Sequence, residues 1–159
     1  MPNWCRNNLT INSKDKVLID KFNESLRSEG FFQFFIPNPA GNWEYSWSVE
    51  NWGTKWDIRG DEIQIIQDDD DRIIVDFDTA WGPPIQFYSK LEELGYEVHA
   101  MYDEPGMEFC GIYSDGKDLY FEYGDMDSST IRETIPIELD ECFMLSELAE
   151  EREQEELDN

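Results

Sequence analysis

The chain has 159 residues, with 37 acids against 12 bases and a net charge of −25. A field of one sign on this scale repels nucleic acid, membrane surfaces and other anions, which disfavours all three as direct ligands. Hydrophobic residues at 40% and aromatics at 14% exclude an acidic disordered chain, which lacks apolar surface to offset the entropy of ordering.

A chain of this length suits a single domain and can bury roughly 70% of its unfolded surface. The start, Met1-Pro2-Asn3-Trp4, has no charged region followed by an apolar stretch, so no signal peptide is expected. No apolar run is long enough to span a bilayer. Cys5, Cys110 and Cys142 are odd in number and contain no Cys-x-x-Cys pair. A reduced, cytoplasmic setting is therefore predicted.

In chain order, Asn3 to Ile11 predicts a strand. Asn12 or Ser13 can cap a helix whose apolar positions Leu18, Ile19, Phe22 and Leu26 recur at helical spacing, with Gly30 as its C-terminal stop. Phe31 to Pro37 follows, then a loop through Asn42. Trp43, Trp47, Trp52 and Trp56 crowd the next fourteen residues. Ile63 to Gln67 and Arg72 to Thr79 predict strands joined by an Asp68-Asp69-Asp70-Asp71 turn, with Ile73, Val75 and Phe77 sharing one face.

Pro83-Pro84 opens a helix whose buried stripe is Phe87, Leu91 and Leu94, ended by Gly95. Tyr96 to Tyr102 predicts a strand. Met107 to Ser114 and Lys117 to Tyr123 predict a hairpin around Asp115-Gly116, a strong turn dipeptide. Ile137 onward predicts a C-terminal helix that ends near Ala149, leaving 150–159 as a frayed acidic tail beyond a 1–149 domain. The order strand, helix, strand, strand, helix, strand predicts an α+β fold: a ferredoxin-like split βαβ antiparallel sheet with an added hairpin and a C-terminal helix.

Four segments carry a family resemblance: Asn3-Trp4-Cys5 with Asn7 and Leu9; Trp52-Gly53-Thr54-Lys55-Trp56-Asp57; Phe77-Asp78-Thr79-Ala80-Trp81 with Pro83-Pro84; and Tyr102 with Glu104, Pro105, Gly106, Phe109 and Gly111. Together, over residues 1 to 113, they resemble the YubB ferredoxin-like domain family of small phage- and plasmid-encoded proteins. The resemblance implies the ferredoxin-like fold and a mobile-element origin. It implies no activity and no catalytic residues.

Trp52, Lys55, Trp56 and Trp81 are candidates for a ligand pocket, since indoles give broad contact area and a donor. The competing reading is that these tryptophans pack the open end of the sheet, with Lys55 paired to Asp57. The Asp68 to Asp71 run could bind a hard cation through carboxylate oxygens, but such a run is more often a solvated hairpin turn. Asp125-Met126-Asp127 starts like a calcium loop and then fails, because Thr130 replaces the glycine and Pro136 the closing glutamate. No metal and no cofactor are expected.

Catalysis has little support. His99 is the sole histidine, and no nucleophile elbow, phosphate loop or His-x-x-x-His occurs. A non-enzyme is expected. Aromatics on a sheet can stack bases, but such sites need a basic groove. Here the later strands carry Asp76, Asp78, Glu108, Asp118 and Glu122 instead.

The charge is also unevenly placed. Residues 1–60 hold seven acids and seven bases, whereas 61–159 hold thirty acids and five bases. A proteome-wide acidic bias would tint the whole chain. This asymmetry points to an acidic surface that imitates the phosphate backbone and occupies a basic nucleic-acid-binding protein, such as a host defence nuclease or CRISPR effector. The candidate partner-binding residues are Asp68, Asp69, Asp70, Asp71, Asp76, Asp78, Asp115, Asp118, Glu122, Asp125 and Asp127.

Overall fold

The strands are β1 (Trp4–Asn12), β2 (Gln64–Asp68), β3 (Arg72–Ala80), β4 (Glu97–Glu104), β5 (Phe109–Ser114) and β6 (Lys117–Glu122). They form one antiparallel sheet in the order β2-β3-β1-β4-β5-β6. The computed structural model describes residues 2–159, so Met1, which opens the predicted 1–149 domain, lies outside the description. The protein is a mixed α+β structure, with seven helices among the described residues.

Alternation sets the first core. Leu9 sits opposite Val75 and Ala100, and Ile11 opposite Ile73 and Val98, so one sheet face becomes continuously apolar. Helices α1 (Lys16–Ser25), α2 (Phe31–Phe35), α3 (Tyr45–Asn51) and α4 (Ile85–Glu93) lie along this part of the chain. Of their residues, Ile19 and Phe22, Phe31, Phe32 and Phe35, and Phe87, Tyr88 and Leu91 join that core. The N-cap of α1 is Asp15, whose carboxylate accepts from the Val17 amide at 2.9 Å. The sequence had offered Asn12 or Ser13 for that role.

The opposite face is not left wet. Helices α5 (Ser128–Thr134), α6 (Ile137–Phe143) and α7 (Leu145–Asp158) bury Ile131, Leu139, Phe143, Leu145 and Ala149 against Cys110 and Ile112 of the sheet. Two differences from expectation follow. The single helix predicted from Ile137 is two, α6 and α7, broken by Met144 at φ +58, and α5, set off from α6 by Pro136, precedes them where no helix was predicted. The predicted tail is helical to Asp158, because Arg132 of α5 pairs with Glu150 at 2.6 Å and Ser128 donates to Glu153 at 2.8 Å.

Candidate partner-binding surfaces

The eleven predicted carboxylates are solvent-exposed except half-buried Asp76, but the sheet scatters them. Asp68 to Asp71 occupy the β2–β3 turn, with Lys14 and Lys16 lining the same open depression. Asp115 lies in the β5–β6 turn at the same end of the sheet, three strand positions or about 14 Å away. Asp76 and Asp78 project from β3, where Asp76 accepts from the Asn8 side chain at 2.7 Å. Asp118 accepts from the Tyr102 hydroxyl at 2.7 Å and Glu122 from Tyr120 at 3.1 Å.

Asp127 serves as the N-cap of α5, accepting from the Thr130 amide at 2.7 Å, which holds its carboxyl below the ordinary range. Besides the Asp68 to Asp71 turn, Glu122, Asp125 and Asp127 fall together, at the opposite end of the sheet, next to Ser128 and hence beside α7.

The densest acidic feature is α7 itself, whose Glu147, Glu150 and Glu151 are expected from the sequence to add to the acidic surface and whose residues from 150 on are expected to fray. Residues 145–158 hold seven acids and one arginine. At 1.5 Å per residue they span about 21 Å, giving a net negative charge every ~3.5 Å. One strand of B-DNA carries a phosphate every ~3.4 Å along the axis. Glu147, Glu151 and Glu155 follow at i, i+4 spacing and are all exposed. Such like-charge neighbours oppose the helix, and Glu155, Glu156 and Asp158 sit at the end where the macrodipole disfavours anions. Helix stability accounts for Glu150 and Glu153, which Arg132 and Ser128 hold, but not for the exposed row Glu147, Glu151 and Glu155.

The four segments of the family resemblance meet at one end of the sheet. There β1 starts, β3 ends and β4 turns into β5. Most of their residues build scaffold. Asn7 donates to Thr79 at 2.9 Å and accepts from Tyr88 at 3.3 Å, in a buried polar knot. Thr54 donates to the Ala80 carbonyl at 3.0 Å, and Glu104 takes the amides of Gly106 at 2.6 Å and Met107 at 2.9 Å. Gly111 is required because Tyr102 crosses it: an added Cβ would fall 2.2 Å from the phenol oxygen.

Asp57 does not pair with Lys55. It caps α2 across a gap in sequence, accepting from Phe32 and Ile58 at 2.7 Å each and from Gln33 at 3.0 Å. Burial pushes its carboxyl up, against the pull of these three amides.

The predicted pocket set divides. Trp52 is only 4% exposed, packs edge-on against Trp47 and donates its indole N–H to Ile36 at 3.0 Å, so it belongs to the core. Lys55 places its ammonium 4.5 Å from the Trp56 ring centre. Trp56 and Trp81 are exposed, at 36% and 51%. Trp81 also holds φ at +72, an outlier for a bulky residue, fixed by its amide on the Asn3 carbonyl at 2.8 Å. Trp4, missing from the predicted set, stands beside Trp56 with ring centres 6.1 Å apart. Its place at the head of β1, next to the 54–58 loop, depends on strand pairing that spacing alone does not reveal.

His99 lies 3.2 Å from Glu138 of α6. Burial pushes all three thiols up, to about 12 for Cys110 and about 11 for Cys142. Among the described residues, no group of three or more His, Cys, Asp or Glu is placed to hold a metal ion, and no helix is long and apolar enough to cross a membrane.

No protein family profile matches the chain, and no curated protein does. Among solved structures, the protein Api92 from Yersinia pseudotuberculosis, of family DUF1281, is similar in fold. The TM-score is 0.54 at 11% identity, over 78% of this chain and 99% of that one. Likeness at this identity speaks to backbone architecture alone.

Proposed function

We propose that this chain is a non-enzymatic, cytoplasmic, ferredoxin-like protein of the YubB type that binds a basic nucleic-acid-binding protein by imitating nucleic acid. Within a phage or plasmid setting, the partner would be a host defence nuclease or CRISPR effector, and binding would block it. The strand order β2-β3-β1-β4 supports the ferredoxin-like reading, since β1 and β2 flank β3 as the two outer strands of a split βαβ unit.

The observation that carries the proposal is the charge spacing of α7, close to that of one DNA strand, with an exposed like-charge row at Glu147, Glu151 and Glu155 that helix stability does not call for. The docking surface is thereby moved from the scattered strand carboxylates to α7 with Glu122, Asp125 and Asp127. A basic groove that normally tracks phosphates would receive the helix lengthwise, and desolvated guanidinium groups would gain charge-assisted hydrogen bonds.

The test is competition. A nucleic-acid-binding effector is held with labelled DNA while the protein is added at rising salt. Displacement of the DNA, with affinity falling linearly on a log–log salt plot, is the expected result. Binding that ignores salt, or that leaves DNA in place, overturns the proposal. A peptide-binding module built on the tryptophans is the second reading, favoured by the exposure of Trp4, Trp56 and Trp81.

A further inference from the structure

The end of the sheet where the four signature segments meet carries a pocket that no acidic-surface argument needs. Trp4, 46% exposed, and Trp56 face each other with their planes at 43°. Beside them opens a shallow cavity of about 290 Å³ lined by Trp4, Ile58, Glu62 and Asp78. The Trp4 ring, with Trp56 behind it, an apolar floor at Ile58 and two carboxylates make a combination suited to a cation. Indole faces attract positive charge, more strongly once water is excluded.

Neither carboxylate is neutralised within the fold. Among the described residues, Glu62 and Asp78 take part in no ion pair, and their side chains have no hydrogen-bond partner. Arg6, which faces Asp78 across β1 and β3, spends its guanidinium on Asp103 instead. Burial pushes the Asp78 carboxyl up, and the Arg6 guanidinium, engaged with Asp103, offsets this only in part. Trp56 already accepts the Lys55 ammonium on its ring, so cation binding by this aromatic group occurs within the chain itself.

The pocket is also held in shape. Trp4 is fixed as the first residue of β1, paired with Ala80 of β3. The loop that carries Trp56 and Ile58 is pinned at both sides, by Thr54 on the Ala80 carbonyl and by the three amides on Asp57. Little ordering would remain to be done on binding.

We infer that Trp4, Trp56, Glu62 and Asp78 form a receptor for one arginine side chain of a basic protein. The inference rests on the reading of the chain as a binder of basic proteins and adds to it a specific anchor. Arginine is chosen over lysine because its guanidinium is planar, weakly hydrated, stacks on aromatic faces and forks to a carboxylate at the same time. An anchor of this kind gives register to an interface that α7 alone would leave to long-range charge.

The experiment follows the indole N–H signals by ¹⁵N NMR in the full chain. The probe is Nα-acetyl-arginine methylamide, and its neutral isostere, the citrulline derivative, is the control. Saturable movement of the Trp4 and Trp56 signals by the arginine derivative alone is expected. Trp4→Leu and Asp78→Asn should each weaken it about tenfold. Both changes are at exposed side chains, and an unchanged far-UV spectrum confirms folding. Equal response to the two probes, or no loss in Asp78→Asn, overturns the receptor.

A hexa-arginine peptide separates this from the α7 reading. If Glu147→Gln, Glu151→Gln and Glu155→Gln together weaken binding of the peptide while the arginine derivative leaves both indoles unmoved, the receptor fails and α7 docking stands. If the derivative saturates the indoles and the peptide ignores those three changes, the receptor stands and α7 docking fails.

Discussion

Arg6 of β1 turns its guanidinium onto the carboxylate of Asp103, its partner on β4, which has no exposed surface. The same guanidinium lies 5.2 Å from the ring centre of Phe143 in α6, and Tyr123 donates to the other carboxylate oxygen at 2.6 Å. The pair thus joins the middle of the sheet to the C-terminal helices. Replacing Arg6 with Met leaves Asp103 buried without its counter-ion, and about 3–5 kcal/mol of stability should be lost in urea unfolding. Adding Asp103→Leu should restore much of that loss. A cost below ~1 kcal/mol for Arg6→Met alone would mean that Asp103 finds another partner.

Asp57→Ala should also unfold the protein early, for a different reason. Three amides, those of Phe32, Gln33 and Ile58, lose their common acceptor. Helix α2 has no cap of its own, since Gly30 precedes it and offers no side chain. The expected cost is about 2–4 kcal/mol, scaled from the penalty for unsatisfied buried donors. The check is equilibrium denaturation, with amide exchange at Phe32 and Gln33 quickened beyond that of the rest of the first core.

These two acids show where reading the sequence stops. Strand alternation at Ile73, Val75 and Phe77, the Asp115-Gly116 turn and the Phe87 to Leu91 stripe are local, and the strands and α4 follow from them. Helix α2 is not local, because five residues rich in Phe look equally like a buried strand until a carboxylate 25 residues away caps them. The last turns of α7 likewise depend on Arg132 and Ser128, which precede it. Among the site candidates, exposure of the aspartates was legible from their type. Their dispersal was not, since it follows from which edge of the sheet each turn occupies. Trp4 was visible as a strand residue and within the family resemblance but not as a pocket residue, and Trp52 joined the core by packing on Phe32 of α2 and donating to Ile36.

The thiols provide a chemical test of burial. Cys5 and Cys110 are wholly buried, while Cys142 is half-buried with its thiol pushed up to about 11. At pH 8 only about one Cys142 in a thousand is then thiolate, and thiolate is the reactive form. Native protein should react with iodoacetamide far more slowly than free cysteine, first at Cys142, and all three should label at once in denaturant. Fast labelling of Cys5 or Cys110 in the native state would show that the sheet opens at β1 or β5. Repeating the assay across pH should show Cys142 labelling rise roughly tenfold per unit up to that value.

Asp78 ties the stability of the fold to its proposed use. Its folded pKa lies above the ordinary 3.8, through desolvation first, with Asp76 adding and Arg6 opposing. A raised acid means that ionisation disfavours the folded state. Below the unfolded value both states are protonated and nothing is lost; as pH rises through the folded value the penalty grows, and at pH 7 it is complete. Asp78→Asn removes the charge and should raise the denaturation midpoint at pH 7, with the advantage over the parent chain shrinking as pH falls towards 4. The same change should weaken the response to the arginine probe about tenfold. A variant that is less stable at pH 7, or equally improved at both pH values, would show that Asp78 is already satisfied within the fold, leaving no unmet charge for an arginine to answer.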